Sequence, residues 1–352
     1  MGRGNPPAIL QSGSQTLLPI HADNLNLQPH PPQGMPGKDY AMKNLSFAIA
    51  STALLAGSVF AAAQGAKLPV GEKPDTISSD VAATTYSFTE VNYKGDTFTQ
   101  LLAINNNNVI AGYHGSGLDP ANPNKGFTYT TAGGFVSQNY PGSAQTQVIG
   151  INDSNDASGF WVDAKGNNYS WYQAGGLFRS PTFPGTKFNQ FLSFNNNGEA
   201  AGYSQDSAGN FHPYVWNRAN IYASYLLPTA VSAQATGKNN IGAIVGFFID
   251  SKNLTHGFQL YNGVFHEFDF PGATSTQCLG TNDSNEVVGT YTDTSNNVHG
   301  FYWKATVYTS LDDPNGIGST IINGINNAGI LVGFWGNTGA GISHGFIATP
   351  KL

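Results

Sequence analysis

Apolar residues along this chain come in short runs of about five, separated by clusters of Asn, Asp, Ser and Gly. Residues 276–312 show the pattern clearly: TQCLGTN, the interruption DSN, EVVGTY, the interruption DTSNN, then HGFYW and KATVYTSLD. Runs this short, punctuated by residues that accept the positive φ of tight turns, predict β-strands joined by hairpins.

The four-strand pattern recurs. Asn105, Asn152, Asn195, Asn239, Asn282 and Asn326 stand 47, 43, 44, 43 and 44 residues apart, and seven residues after each comes Gly112, Gly159, Gly202, Gly246, Gly289 or Gly333. Six four-stranded units predict an all-β, six-bladed β-propeller of antiparallel blades over residues 86–349. An open β-solenoid is the competing architecture. The chain's ends favour the ring: the last copy stops after its third strand, HGFIATPKL, and YSFTEVNY, residues 86–93, resembles a fourth. The N-terminal strand is therefore expected to complete the last blade, leaving no open edge between first and last repeats.

Preceding the repeats, MKNLSFAIASTALLAGSVFAAAQGA begins at Met42 with one Lys, continues as an apolar run from Leu45 to Val59 and ends in small residues. This is the pattern of a secretory signal peptide over residues 42–63, too short for a comfortable membrane span. Residues 1–41 are expected to be an upstream extension, disordered or untranslated, and residues 64–85 a linker. The implied location is extracellular, with the periplasm as the alternative.

Only 10% of the residues are charged, against about 25% in ordinary soluble domains, so the surface must rely on Asn, Ser, Thr, Gln and Gly. Beyond residue 63 the chain holds 12 basic and 19 acidic residues, a net charge near −7. That balance lacks the clustered Lys and Arg that nucleic acid or an anionic membrane would require. Cys278 is the only cysteine, so no intramolecular disulfide can form and stability must come from packing.

The unit x-G-I-N-x-x-G-x-x-x-G, followed by His-Gly-Phe as in THGFQLYNGVFHEFDFPGATSTQ and VHGFYW, resembles the HAF-repeat family of bacterial extracellular proteins. The resemblance runs over residues 86–349 and weakens in the early copies, where Lys125-Gly126-Phe127, Tyr169-Ser170-Trp171 and His212-Pro213-Tyr214 replace His-Gly-Phe. It implies export and a repeat architecture, and no particular activity.

Within a propeller the first strand of each repeat lines the axis. Two residues before each repeat Asn stand Ala103, Gly150, Ser193, Gly237, Gly280 and Gly324, all small, as close approach of neighbouring blades demands. Five residues before it stand Gln100, Gln147, Gln190, Gln234 and Gln277, with Ile321 in the sixth copy; Thr99, Thr146, Asn189, Ala233, Thr276 and Thr320 precede them. These amides and hydroxyls, in particular the five glutamines with Thr146, Thr276 and Thr320, are the candidate ligand-binding ring. They would line the mouth that carries the blade-to-blade loops, and they offer donors and acceptors suited to a polyhydroxylated ligand. The alternative is that the glutamines brace neighbouring blades.

Other constellations read as structural. His212, His256, His299 and His344 lie on third strands, roughly 15 Å from the axis at about 4.8 Å per strand, so no single metal gathers them. Phe127, Trp171, Tyr214, Phe258, Phe301 and Phe346 are expected to pack between sheets. Asp163, Asp206, Asp250 and Asp293, with Asn337 in the last copy, sit in turns without the order of an EF-hand loop. No cofactor is expected, and calcium in one of these loops is the one alternative left open. H-E-x-x-H does not occur. The leading expectation is a secreted binding propeller whose partner is a glycan, another small molecule or a surface component. A metal-dependent hydrolase or lactonase built on mouth loops, and a structural assembly protein, are the alternatives.

Overall fold

The computed structural model describes residues 68–71, 73, 86–117 and 119–351. They form six four-stranded antiparallel sheets in a ring, a six-bladed β-propeller. Its six inner strands are Phe98–Ile104, Gln145–Ile151, Asn189–Phe191, Ala230–Lys238, Ser275–Thr281 and Thr320–Ile325, defining blades 1 to 6 in chain order. Within blades 1 to 5 the strands neighbour one another in sequence order. Blade 6 contributes Thr320–Ile325, Leu331–Trp335 and His344–Pro350, and its outermost strand is Tyr86–Val91 from the start of the propeller. Tyr86 pairs with Pro350 and Val91 with Gly345 in that ladder.

The invariant spacing from Asn to Gly has a steric origin. A Cβ on Gly159, Gly202, Gly246 or Gly333 would lie 2.0 Å from the backbone carbonyl oxygen of the facing inner strand, far inside contact distance. The space beside these glycines is taken by third-strand aromatics: Phe127, Trp171, Tyr214, Phe301 and Phe346 are fully buried, and Phe258 is nearly so. The blades thus pack through aromatic rings laid against a glycine track, as expected from the sequence.

At the inner strands the small residues perform the predicted service. A Cβ on Gly150 would meet the backbone of Ser193 and Phe194 at 2.5 Å, and one on Gly324 would come within 3.0 Å of Ala103 Cα, closing the contact between last and first blades. Five inner strands carry a register shift just before this position, for instance between Leu101 and Ala103 and between Cys278 and Gly280. The shift is a β-bulge, and a bulge re-aims the extra residue. Here the extra residue is Leu102, Ile149, Thr236, Leu279 or Asn323, and together with Leu192 these five line a cavity of about 20 Å³ on the axis.

One apolar cluster draws residues from all six blades, among them Phe98, Phe160, Phe188, Phe247, Leu279 and Phe334. Only the axis is common to six blades, so this cluster plugs it.

Residues 1–63, with the upstream extension and the signal peptide, lie outside the described residues. Within the 64–85 stretch, expected to be a linker, the described residue Val70 makes one isolated parallel bridge to Phe265 at the outer edge of blade 4. Among the described residues no helix is long and apolar enough to cross a membrane.

Candidate functional site

Gln100, Gln147, Gln190 and Gln234 are 0–3% exposed, enclosed beside the axial plug rather than displayed at a mouth. Their partners explain the enclosure. Tyr113 donates its hydroxyl to Gln100 Oε1 at 2.5 Å, and Tyr203 donates to Gln190 Oε1 at 2.6 Å, each across the first and second strands of one blade. Gln190 Nε2 donates to Asn168 Oδ1 of the preceding blade at 3.1 Å. Gln277 is half-buried, faces Thr290 across the ladder and has its own interactions.

The threonines are enclosed too, and they tie down the loops between blades. Thr146 Oγ1 accepts from Tyr140 N at 3.1 Å, Thr276 Oγ1 from Phe270 N at 2.8 Å and Thr320 Oγ1 from Asp313 N at 3.1 Å. Gln100, Gln190 and the threonines therefore satisfy tyrosine or backbone groups of the fold, whereas Gln147 Oε1 and Gln234 Oε1 are buried without a protein partner. The polar ring open to solvent lies at the opposite end of the axis.

That ring is built by the first-to-second-strand turns. In each blade the repeat Asn uses its side-chain oxygen to hold its own turn: Asn105 Oδ1 accepts from Asn107 N at 3.0 Å and Val109 N at 2.9 Å, and Asn282 Oδ1 accepts from Ser284 N and Glu286 N, both at 3.1 Å. Asn108, Asn155, Asn285, Gly198, Gly242 and Gly329 occupy the left-handed position that completes these turns, with φ of 59–99°.

The side-chain nitrogen of the same Asn reaches the next blade. Asn105 Nδ2 donates to Asn152 O (2.8 Å), Asn152 to Asn195 O (3.4 Å), Asn195 to Asn239 O (3.1 Å), Asn239 to Asn282 O (2.8 Å), Asn282 to Asn326 O (3.1 Å) and Asn326 back to Asn105 O (3.3 Å). This cycle links all six blades head to tail. Only a carboxamide supplies an acceptor for the turn and a donor for the neighbour from one rigid plane, so Asn recurs without exception.

A second ring lies outside the first, formed by Asn106, Asp153, Asn196, Asn240, Asp283 and Asn327. Each backbone N–H donates to the next residue's Oδ1 at 2.8–2.9 Å, again closing a full circle. The two aspartates occupy opposite blades, and the remaining carboxylate oxygen of each takes amide donors from both flanking asparagines. Asp153 Oδ2 accepts from Asn106 Nδ2 (2.9 Å) and Asn196 Nδ2 (2.7 Å), and Asp283 Oδ2 from Asn240 Nδ2 (2.8 Å) and Asn327 Nδ2 (3.0 Å). An acceptor-only side chain is what lets two neighbouring amides point at one atom. Burial opposes ionisation of Asp153, but the bonds from Asn106 and Asn196 outweigh it and hold the carboxyl below its ordinary range.

The two rings enclose a depression of about 80 Å³, with Ile104, Ile151, Phe194, Lys238, Thr281 and Ile325 in its wall. Lys238 Nζ stands 3.5 Å from Glu199 Oε2 and is the wall's single cation. The sequence marks these turns only as clusters of Asn, Asp, Ser and Gly that separate strands. The second role of each Asn involves a residue 43–47 positions away, or 221 for Asn326, and only the recurrence of Asn at every copy hinted at it.

The histidines sit on the outer part of the other face, each against acids. His256 Nδ1 is 3.0 Å from Asp269 Oδ1, His299 Nδ1 2.6 Å from Asp312 Oδ2, His212 Nε2 2.9 Å from Asp206 Oδ2 and His344 Nδ1 2.9 Å from Glu90 Oε1. Burial lowers the His299 pKa, yet Asp312 and Asp293 outweigh it and raise the group above its ordinary value. Among the described residues one trio has metal-ligand spacing, His256 with Glu267 and Asp269. Lys73 already occupies it, with Nζ 3.1 Å from Glu267 and 2.5 Å from Asp269. The loop acids behave as turn residues: Asp163, Asp206, Asp250 and Asp293 each accept two backbone N–H groups through Oδ1.

No family model matches the chain, and no curated protein does. Solved structures resemble it at low identity. TolB from Acinetobacter baumannii is 11% identical with a TM-score of 0.46, over 73% of this chain and 65% of TolB, so the match spans less than two thirds of that protein. The β-propeller domain of the Trilobed protease from Pyrococcus furiosus is 9% identical (TM-score 0.46, 74% and 95% covered). SapL1 lectin, solved with alpha methyl fucoside, is 13% identical (TM-score 0.45, 68% and 89% covered).

Proposed function

We propose that this chain is an exported ligand-binding propeller of the HAF-repeat type and that it holds the end of a polyhydroxylated molecule, such as a terminal sugar, at the Asn/Asp mouth. The supporting observation is the double ring of Asn105 to Asn327, which presents carboxamides and two carboxylates around one shallow axial depression. Sugar hydroxyls both donate and accept, and an amide-rich rim can answer both demands with almost no charge. The size of the depression narrows the ligand. About 80 Å³ holds a few water-sized groups, well below the 300–1,000 Å³ of pockets that enclose whole small molecules. A ligand would stand on the mouth and insert only a terminal part.

Catalysis is the weaker reading. Both oxygens of Asp153 and of Asp283 are committed to amide and backbone donors, which leaves neither carboxylate free to act as a base. Export rests on residues 42–63 and is checked by N-terminal sequencing of secreted protein, with a new N-terminus near residue 64 expected.

Glycan-array screening followed by calorimetry tests the ligand reading. The double substitution Asn106→Ala with Asn196→Ala is expected to weaken binding by about tenfold or more, whereas Gln147→Leu leaves it unchanged. Absence of glycan binding by the parent chain, or binding indifferent to the asparagine pair, would overturn the proposal.

A further inference from the structure

The six residues that immediately precede the repeat asparagines all line the axial depression, and one of them breaks the repeat. Ile325, Ile104, Ile151 and Phe194, on blades 6, 1, 2 and 3, form an apolar arc over four successive blades. Lys238 and Thr281, on blades 4 and 5, close the circle with a polar one. The lysine side chain is only 8% exposed, so its ammonium has given up most of its water, a cost that close opposite charge must offset. Its partner among the described residues is Glu199 Oε2, at 3.5 Å. That is longer than an ordinary hydrogen bond, and the same oxygen accepts from Asn195 Nδ2 at 2.9 Å. An ammonium has three donors, so most of this one's capacity is left for the depression.

The turn acid does not by itself call for a lysine at this place. Glu286 is the counterpart of Glu199 two blades on and takes the same bond from its own repeat Asn, Asn282 Nδ2 to Oε2 at 2.6 Å. Its charge is met by Lys304 of its own blade, at 2.7 Å, and the residue that stands to it as Lys238 stands to Glu199 is Ile325. Asp153 and Asp283 belong to the outer ring, with their oxygens held by amide and backbone donors. The inner wall therefore presents a single positive charge with unused donors, beside a hydroxyl and facing an apolar arc. We propose that Lys238 is a subsite for an anionic group at the inserted end of the ligand, so that the mouth takes a sugar bearing a carboxylate, of the hexuronic acid class. The inference rests on the mouth being the ligand site and adds the charge of what enters it. A carboxylate is small enough for a depression of about 80 Å³, and the carbon atoms beside it meet the isoleucines while the sugar hydroxyls meet the carboxamide rim.

Calorimetry on the full chain tests this with pairs of oligosaccharides that differ only in ending on a hexuronic acid or on the corresponding neutral hexose. The parent chain is expected to prefer the acid by about tenfold or more, and Lys238→Met to bring the ratio of the two affinities close to one. Because Lys238→Met leaves Glu199 without its cation, the double variant Lys238→Met with Glu199→Gln is measured beside it; the Gln oxygen still accepts from Asn195, and circular dichroism establishes that both variants fold. Glu199→Gln alone frees the ammonium from its competitor and is expected to tighten acid binding by about threefold or more, whereas a lysine serving only the fold would show a loss of stability and no gain in affinity. Equal affinity of the parent chain for acid and neutral ends, or a preference that survives in both Lys238→Met variants, would overturn the proposal while leaving the mouth as a glycan site. Binding of neither kind of oligosaccharide would remove the mouth reading and this inference with it.

Discussion

At the turn end of the axis, Asn105 and its five counterparts each reach into the next blade; at the loop end, Gln100 and Gln190 each take a tyrosine hydroxyl from their own blade. The residue types are nearly the same and the outcome is opposite. Asn105 sits in a turn, where no further strand residue separates its amide from the neighbouring backbone. Gln100 sits inside a ladder, flanked by the aromatic plug, so its amide must be satisfied locally or remain unpaired. A carboxamide at a repeat position therefore becomes an inter-blade link or an internal brace according to the element that carries it, and at the end with links the carboxamides form a polar rim around the axial depression.

The contrast is broken most directly at a link. Asn105→Ala removes the acceptor for two turn N–H groups and the donor to Asn152 O from a site only 4% exposed. A loss of about 3 kcal/mol is expected, seen as a fall in Tm on the order of 6–10 °C by calorimetry. Asn105→Asp keeps the acceptors and loses the donor, with no carboxylate against it, and should cost less, about 1 kcal/mol. Equal losses for the two substitutions would mean that the turn acceptor adds nothing beyond the inter-blade cycle.

The brace end should respond residue by residue. Gln190→Leu strands the buried Tyr203 hydroxyl and Asn168 Oδ1 and is expected to cost about 2 kcal/mol, the tyrosine part of it recovered when Tyr203→Phe is added. Gln147 faces Phe160, and its Oε1 has no protein partner, so Gln147→Leu should cost less than half as much in the same denaturation experiment. A matching loss at both positions would show that the glutamines act as a ring after all.

The smallest effects are in pH. Asp153 is held below its ordinary pKa, so its contribution is present above about 3.9, the unfolded value, and disappears as pH falls through the lower folded value. His299 is raised, so its contribution is present below about 6.5 and disappears as pH rises through the higher folded value. In thermal melts across pH, Asp153→Asn should flatten the acid limb and His299→Gln the neutral limb, each by about 1–2 °C because both groups are partly exposed. A single limb altered by both substitutions would contradict the separation of the two ends.

Six repeats, four strands in each, the glycine track and the small residues of the inner strands were legible in the sequence, because each is a local or strictly periodic demand. Gly159 must lack a Cβ wherever its blade stands, and Asn155 must take positive φ in whatever hairpin holds it. The destination of the polar side chains was not legible. That Gln190 is enclosed with Tyr203, that Asn326 returns to Asn105, and that Lys73 lands on Asp269 are facts about residues 13, 221 and 196 positions apart. Periodicity fixes which residues are equivalent, but hydrogen bonds and burial depend on which atoms the closed ring brings within about 3 Å, and only the assembled blades decide that.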